Sequence, residues 1–170
     1  ATEDIEGYCH CVKQDIVNPD LLFLGTEFGL YVSLDAGSSW SRFKEELPKV
    51  AVHEIAIHPR EHDLILATHG RGVQIIDDIT PLRHLSRDKL DQDIVLLASQ
   101  PSKLLIPASA QQFAGDHEFT GANPPSGVQI AYYLKRRHMF GDLKVEILDK
   151  SGHVIATVPG GKRRGINRVM

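Results

Sequence analysis

Short apolar runs separated by turn-forming residues make up most of the chain. Residues 52–57 divide between the two sides of an extended chain with a period of two, which is typical of a half-buried strand. Similar runs at residues 8–13, 21–26 and 64–68 predict further strands. The pattern therefore predicts an all-β fold made of many short strands.

The first half contains an internal repeat. Gly29 stands between the apolar runs 21–26 and 30–33, and Gly72 stands between equivalent runs 43 positions further on. Self-similarity at about 40–50 residues with several short strands per copy is typical of β-propeller blades. Two copies cannot close a ring, because propellers have about 4–8 blades. We therefore expect a fragment of a larger propeller.

The two ends of the sequence favour the same interpretation. The chain starts Ala-Thr-Glu-Asp, without an initiator methionine or a secretion signal, and residues 166–170 at its other end have the pattern of mid-strand residues. We expect a piece of a longer protein, whose targeting signal would lie outside it.

The most specific local motif is residues 33–40, which follow the pattern S-x-D-x-G-x-x-W. Asp35 is suited to accept hydrogen bonds from N–H groups of a turn, and Ser33 to fasten its other side. Gly37 can adopt a positive φ, and Trp40 offers a large apolar plate for packing on a neighbouring sheet. The motif predicts a hairpin between two strands, in which all four residues have structural roles.

This octapeptide resembles the Asp-box, or BNR repeat, of sialidase-like and sortilin-like β-propellers, as do Gly25, Thr26 and Gly29 ahead of it. In the second copy, residues 76–82 lack the glycine and tryptophan, and Pro81 would block a central strand ladder. A degenerate copy suits a terminal blade, whose outer strand is often supplied by the other end of the chain. Further segments resemble the last blade and following domain of bacterial glycosyl-hydrolase-like Asp-box proteins, namely residues 68–72, 77–82, 123–127 and 132–134.

Antiparallel connections place the Asp-box turn at one end of its sheet and the preceding turn at the opposite end. In sialidase-like relatives the substrate site opens on the face away from the Asp-boxes. The resemblance thus implies Glu27, His69 and Arg71 as ligand-binding candidates, able together to bind a sugar acid. The structural alternative is that Glu27 caps its turn while His69 and Arg71 pair with neighbouring carbonyls. No catalytic residue is assigned, because glycoside hydrolysis usually needs two carboxylates and Glu27 is the only acid in these two turns.

Composition excludes several classes of protein. The 170 residues are 42 % hydrophobic and 24 % charged, as in ordinary globular chains, and no run is long enough to predict a membrane span. Net charge is -7 for residues 1–84 and +4 for residues 85–170, a change of sign that fits two modules. The basic triplets at 135–137 and 162–164 are too short to indicate a nucleic-acid partner.

Neither a metal nor a cofactor is predicted. The sequence Cys9-His10-Cys11 suggests ligands, but strand alternation would put His10 on the face opposite the two thiols. A zinc site usually has four ligands, and no second ligand pair with suitable spacing is present. His53, His58 and His62 lie along a predicted strand and its turn and are interpreted as ordinary polar residues.

The second half predicts a different β module. Ser86 and Asp88 suit the start of a short helix, and a hairpin turn is predicted at residues 149–152. A long loop is predicted at residues 108–127. The strands are predicted at residues 94–97, 103–107, 128–134, 143–148 and 154–158. This pattern favours a truncated immunoglobulin-like β-sandwich, with a small open barrel as the alternative.

The sequence thus predicts one or two terminal propeller blades at residues 1–84, a linker with a short helix at 85–100, and a partial β-sandwich at 101–170. The resemblance implies a secreted or periplasmic parent that recognises or hydrolyses carbohydrate, with this segment mainly a scaffold and inactive alone. The alternatives are a sortilin-like propeller that binds peptides or proteins without chemistry, and a purely structural interaction module. The missing blades of the parent would be its partners.

Overall fold

Antiparallel β-structure dominates this computed structural model, which describes residues 5–44, 47–102 and 127–170. Strands account for 41 % and helices for 6 % of those residues, in several small sheets. The elements are, in order, β1 (Cys9–Gln14), β2 (Leu22–Thr26), β3 (Gly29–Ser33), β4 (Ser41–Arg42), β5 (Val52–Ile57), β6 (Leu64–Thr68), β7 (Val73–Ile76), α1 (Thr80–Arg83), α2 (Arg87–Leu90), β8 (Ile94–Leu97), β9 (Ile130–Leu134), β10 (Lys144–Leu148), β11 (Val154–Pro159) and β12 (Gly165–Val169).

The first sheet contains β1 to β4 side by side in chain order, all antiparallel. Its central strands β2 and β3 are buried almost throughout. Burial on both faces explains why residues 21–24 and 30–32 read as continuous apolar runs instead of alternating with polar residues.

The second sheet, β5-β6-β7, repeats the first three strands of the first sheet. The Thr26 hydroxyl donates to the Gly29 carbonyl at 3.1 Å, and the Thr68 hydroxyl donates to the Gly72 carbonyl at 2.7 Å. These matching turns confirm the predicted repeat. Instead of a fourth strand, the chain after β7 forms the single turn of α1, which has a proline in its first turn, where the missing N–H costs no helical hydrogen bond.

The two sheets share one hydrophobic core. Its buried members are Leu21, Phe23, Leu30, Val32, Val52, Ile55, Leu64, Leu66 and Ile79. At Gly25 a Cβ atom would lie 2.5 Å from the Val52 carbonyl oxygen and 2.6 Å from Cys11 Sγ. The close approach of the two sheets therefore requires glycine at this position.

A buried ion pair attaches α1 to the end of β1. Arg83 donates from Nε and Nη2 to Asp15 at 2.9 and 2.8 Å, and both side chains are almost fully buried. Burial alone would raise the pKa of Asp15, but hydrogen bonds from Arg83, Asn18 and Val17, with the guanidinium charge, hold it below its ordinary value. The sequence analysis missed this pair, whose members are far apart along the chain.

The second half forms a three-stranded sheet, β8-β9-β12, and a separate hairpin of β10 and β11. Leu85, Leu97, Ala131 and Tyr133 form a second core, against which Leu34 packs from the first half. The two halves are also joined by hydrogen bonds. Arg168 on β12 donates to the carbonyls of Asp77 and Asp78 at 2.9 and 2.6 Å.

The predicted short helix after residue 84 is present, but some details predicted for the second half were wrong. The short helix is α2, but the predicted cap at Ser86 makes no side-chain hydrogen bond. Strand β8 lies within the predicted linker at 85–100, yet it pairs with β9 of the second half. The predicted strand at 103–107, nearly all of the loop at 108–127 and most of the 123–127 motif lie outside the described residues. No helix in the described ranges has the length and apolar character needed to cross a membrane.

Candidate functional site

The turn between β3 and β4 is held together by the side chains of the S-x-D-x-G-x-x-W motif. Asp35 accepts hydrogen bonds from the Ser33 hydroxyl at 2.8 Å, the Ser39 amide at 2.7 Å and the Ser39 hydroxyl at 2.6 Å. The Gly37 amide donates to the Ser33 hydroxyl at 2.8 Å, and Gly37 has a φ of +89°. The predicted turn geometry at Ser33, Asp35 and Gly37 is therefore confirmed.

The same network controls the protonation of Asp35. The hydroxyl of Ser39 is the largest influence, and with the Ser39 amide, Ser33 and Arg87 it outweighs burial and lowers the pKa of Asp35 to about 2. Arg87, on α2, lies 3.1 Å from the carboxylate. The motif thus connects the first sheet to the segment that leads into the second half, which is a structural role.

Trp40, which the motif predicts to pack on a neighbouring sheet, is not fully buried. The indole is half-buried and lies beside a groove of about 1060 Å³, lined also by Arg42, Gln74, Ile76 and Arg168. Trp40 belongs to neither hydrophobic core. In the described residues β7 has no strand on its outer side, so the groove remains open beside the indole.

Partial burial reduces the expected effect of Trp40→Ala. Replacing a fully buried indole by alanine would lower the free energy of unfolding by about 3–5 kcal/mol. For a half-buried indole we expect a loss of about 2 kcal/mol. Urea denaturation measures the loss, with Ser38→Ala, an exposed change in the same turn, as the control. A loss as large as that of a core aromatic residue would contradict the open groove.

The predicted ligand-binding residues lie at the end of the sheets opposite the Asp-box turn. Glu27 is in the β2–β3 turn, while His69 and Arg71 are in the β6–β7 turn, and all three are exposed. The antiparallel order of both sheets puts these two turns at one end. Within the described part of the chain, neither a hydrogen bond nor an ion pair joins Glu27 to His69 or Arg71.

The alternative of local pairing is not observed for these side chains. Among the described residues, the Glu27 carboxylate and the Arg71 guanidinium form neither a hydrogen bond nor an ion pair. Their backbone groups do: the Glu27 amide donates to the Tyr8 carbonyl, and the Arg71 carbonyl accepts from Gln74. A free carboxylate and a free guanidinium are therefore available to a ligand.

Two further histidines join His69: His53, which was interpreted as an ordinary polar residue, and His10, which was predicted to lie on the face opposite the two thiols. The ring centroids of His10 and His53 are 4.4 Å apart, and those of His53 and His69 are 5.8 Å apart. His10 and His53 are separated by the same 43 positions as Gly29 and Gly72. Extending the repeat to position 10 would have shown that these two residues occupy equivalent positions.

The argument from strand alternation at Cys9-His10-Cys11 was wrong. The β1–β2 pairing has a bulge between Cys9 and Cys11, so His10 is an extra residue in its strand. Cys11 Sγ lies 3.8 Å from the Val52 carbonyl oxygen while the His10 ring contacts His53, so both side chains contact β5. Burial raises the pKa of the Cys11 thiol.

In the side-chain conformations of the described residues, no three His, Cys, Asp or Glu side chains converge on a point that could hold a metal ion.

Aromatic rings and charges lie together at this end of the sheets. Tyr8 is 80 % exposed, and Lys49 Nζ lies 4.9 Å from the centre of the Phe28 ring and 3.2 Å from Glu6. We call this region the turn-end surface. It comprises Tyr8, His10, Glu27, Phe28, Lys49, His53, His69 and Arg71.

Comparison of the chain with protein-family models, with curated proteins and with solved structures gives no match. The resemblance to Asp-box proteins therefore rests on residues 33–40 and on the internal repeat.

Proposed function

We propose that this chain is the closing part of an Asp-box β-propeller followed by a β-sandwich, and that its parent binds carbohydrate at the turn-end surface. Two features support the architecture. A four-stranded antiparallel sheet in chain order packs on a three-stranded copy through a shared core, and its last turn carries the complete hydrogen-bond network of the S-x-D-x-G-x-x-W motif.

The unpaired side chains of Glu27 and Arg71, beside exposed rings, carry the proposal of a carbohydrate ligand. Sugar hydroxyl groups need both hydrogen-bond donors and acceptors. The Arg71 guanidinium supplies donors, and the Glu27 carboxylate supplies acceptors. Tyr8 and the exposed imidazoles supply ring faces for the apolar side of a pyranose. An acidic sugar would add a carboxylate, which a guanidinium binds strongly.

Recognition is favoured over catalysis for this segment. Hydrolysis usually requires two carboxylates placed across the scissile bond, and Glu27 is the only acid in the two turns. We assign no catalytic residue and expect the segment alone to be inactive. A hydrolytic parent would draw its second carboxylate from other blades, and the resemblance implies that this parent is secreted or periplasmic.

Substitution in the full-length parent tests the binding surface. We expect Glu27→Gln and Arg71→Ala each to weaken glycan binding by roughly tenfold, the loss of one charge-assisted hydrogen bond. The melting temperature should not change, because both side chains are exposed and unpaired. Glycan arrays followed by titration of the best ligand measure the effect, with Arg136→Ala in the second half as the control. A parent that neither binds nor hydrolyses any glycan would overturn the proposal, and unchanged binding in both variants would reject these two residues.

Exposed aromatic side chains favour peptide binding as the second candidate. Tyr8 is 80 % and Phe28 37 % exposed, and exposed aromatic residues are common anchors for protein ligands. A sortilin-like parent would bind a peptide array and no glycan, and Tyr8→Ala would reduce that binding more than Glu27→Gln.

A further inference from the structure

Three imidazoles at the turn-end surface have nitrogen atoms free to bind a ligand. In the described ranges, the rings of His10, His53 and His69 contact each other but form no hydrogen bond or ion pair. Two other histidines, His58 and His153, have local partners. Nδ1 of His58 accepts from the Glu61 amide at 3.0 Å, and His153 lies 3.4 Å from Asp149.

The backbone brings His10 and His53 together in the same way on two neighbouring strands. The β1–β2 pairing shifts register between Cys9 and Cys11, and the β5–β6 pairing shifts between Val52 and Glu54. Each histidine is therefore the extra residue of a bulge, and bulges commonly redirect a side chain beside a functional site. Strand β5 packs against β1, so the two bulged residues face each other across the junction of the sheets.

The separation of the His10 and His53 rings is close to that of two imidazoles that share a metal ion. Two imidazoles that bind one zinc ion through nitrogens at about 2.0–2.1 Å have ring centroids roughly 4.5–5.2 Å apart, for bond angles of about 90–110°. The observed separations of 4.4 and 5.8 Å lie on either side of this range. Exposed rings change rotamer rapidly, so rotation of the rings can direct their nitrogens to a common point.

We propose that His10 and His53 bind one divalent transition-metal ion of the zinc, copper and nickel class. His69 joins as a third ligand after rotation of its ring, and water completes the coordination. Neutral imidazole is a preferred ligand of these metals. Because the two main ligands lie on different sheets, the ion links β1 to β5. The site overlaps the turn-end surface, because the same imidazoles belong to both, but metal binding does not require a carbohydrate ligand.

Calorimetric titration of the 170-residue chain with zinc chloride, and separately with nickel chloride, tests this site. We expect one ion per chain, and we expect His10→Asn and His53→Asn each to weaken binding by roughly tenfold or more. His69→Asn should weaken it by a smaller factor, and His153→Asn, at the β10–β11 turn, should leave it unchanged. The melting temperature of the unsubstituted chain should rise with metal concentration, since an ion that binds only the folded state stabilises it.

Copper-loaded chain provides a second readout that does not depend on stability. Its electron paramagnetic resonance spectrum should show coupling to imidazole nitrogen, which is lost in the His10→Asn, His53→Asn double variant. Absence of binding at a roughly 100-fold molar excess of metal would overturn the proposal. So would a loss of binding in Cys9→Ser together with full binding in His53→Asn, because the exposed thiol would then be the ligand.

Discussion

Arg83→Met is expected to lower the free energy of unfolding by about 3–5 kcal/mol, the cost of removing one partner of a buried ion pair. The Asp15 side chain has 0 % exposure, and Arg83 is 6 % exposed. Methionine fills much of the same volume but cannot donate, so the carboxylate remains buried with its charge uncompensated. The amides of Val17 and Asn18 still donate to Asp15, but they carry no net charge.

Urea denaturation followed by circular dichroism measures this loss, and Lys49→Met provides the matched control. Lys49 pairs with Glu6 at 3.2 Å, with both side chains more than half exposed, and such pairs contribute about 0–1 kcal/mol. In the double variant Asp15→Asn, Arg83→Met, part of the loss should be recovered, because no buried charge remains. Equal small losses for Arg83→Met and Lys49→Met would contradict the buried pair.

The pairing of Asp15 with Arg83 could not be predicted from the sequence. Each residue is unremarkable in its local context, and their pairing depends on how α1 packs against the first sheet. By contrast, Ser33, Asp35 and Gly37 interact within a few positions of each other, so their turn could be predicted from spacing alone. Local hydrogen bonding follows from sequence, whereas contacts between distant elements depend on the tertiary fold.

The turn-end surface also contains residues whose placement could be predicted from the sequence and residues whose placement could not. Antiparallel connectivity was sufficient to place Glu27, His69 and Arg71 opposite the Asp-box turn, since turns must alternate between the ends of a sheet. The ring contacts of His10 and His53 could not be predicted from alternation, because each residue lies in a bulge that breaks the period of two. The partial burial of Trp40 depends on which strand flanks β7, and the local motif does not specify this.

Asp35→Ala is expected to lower the free energy of unfolding at neutral pH by about 2–4 kcal/mol, since hydrogen bonds to a charged group contribute about 1.5–3 kcal/mol and are not additive. The change leaves the Ser39 amide without its acceptor and removes the partner of Arg87. It also removes the side chain that fastens the β3–β4 turn. Asp93→Ala, an exposed carboxylate before β8, is the control, with an expected change within about 0.5 kcal/mol.

The charge-dependent part of the effect of Asp35→Ala should be lost in acid, and the direction of this change follows from the lowered pKa of Asp35. The pKa of Asp35 is about 2 in the folded state against 3.8 for the free side chain, so the unfolded state binds the proton first as pH falls. The stability due to the charge is therefore complete above about pH 4 and is lost as pH falls towards 2. Measuring both proteins at each pH cancels the contributions of Asp15 and Asp149, whose pKa values are also lowered. A difference between wild type and variant that stays constant from pH 7 to about pH 2 would show that the Asp35 charge does not stabilise the turn.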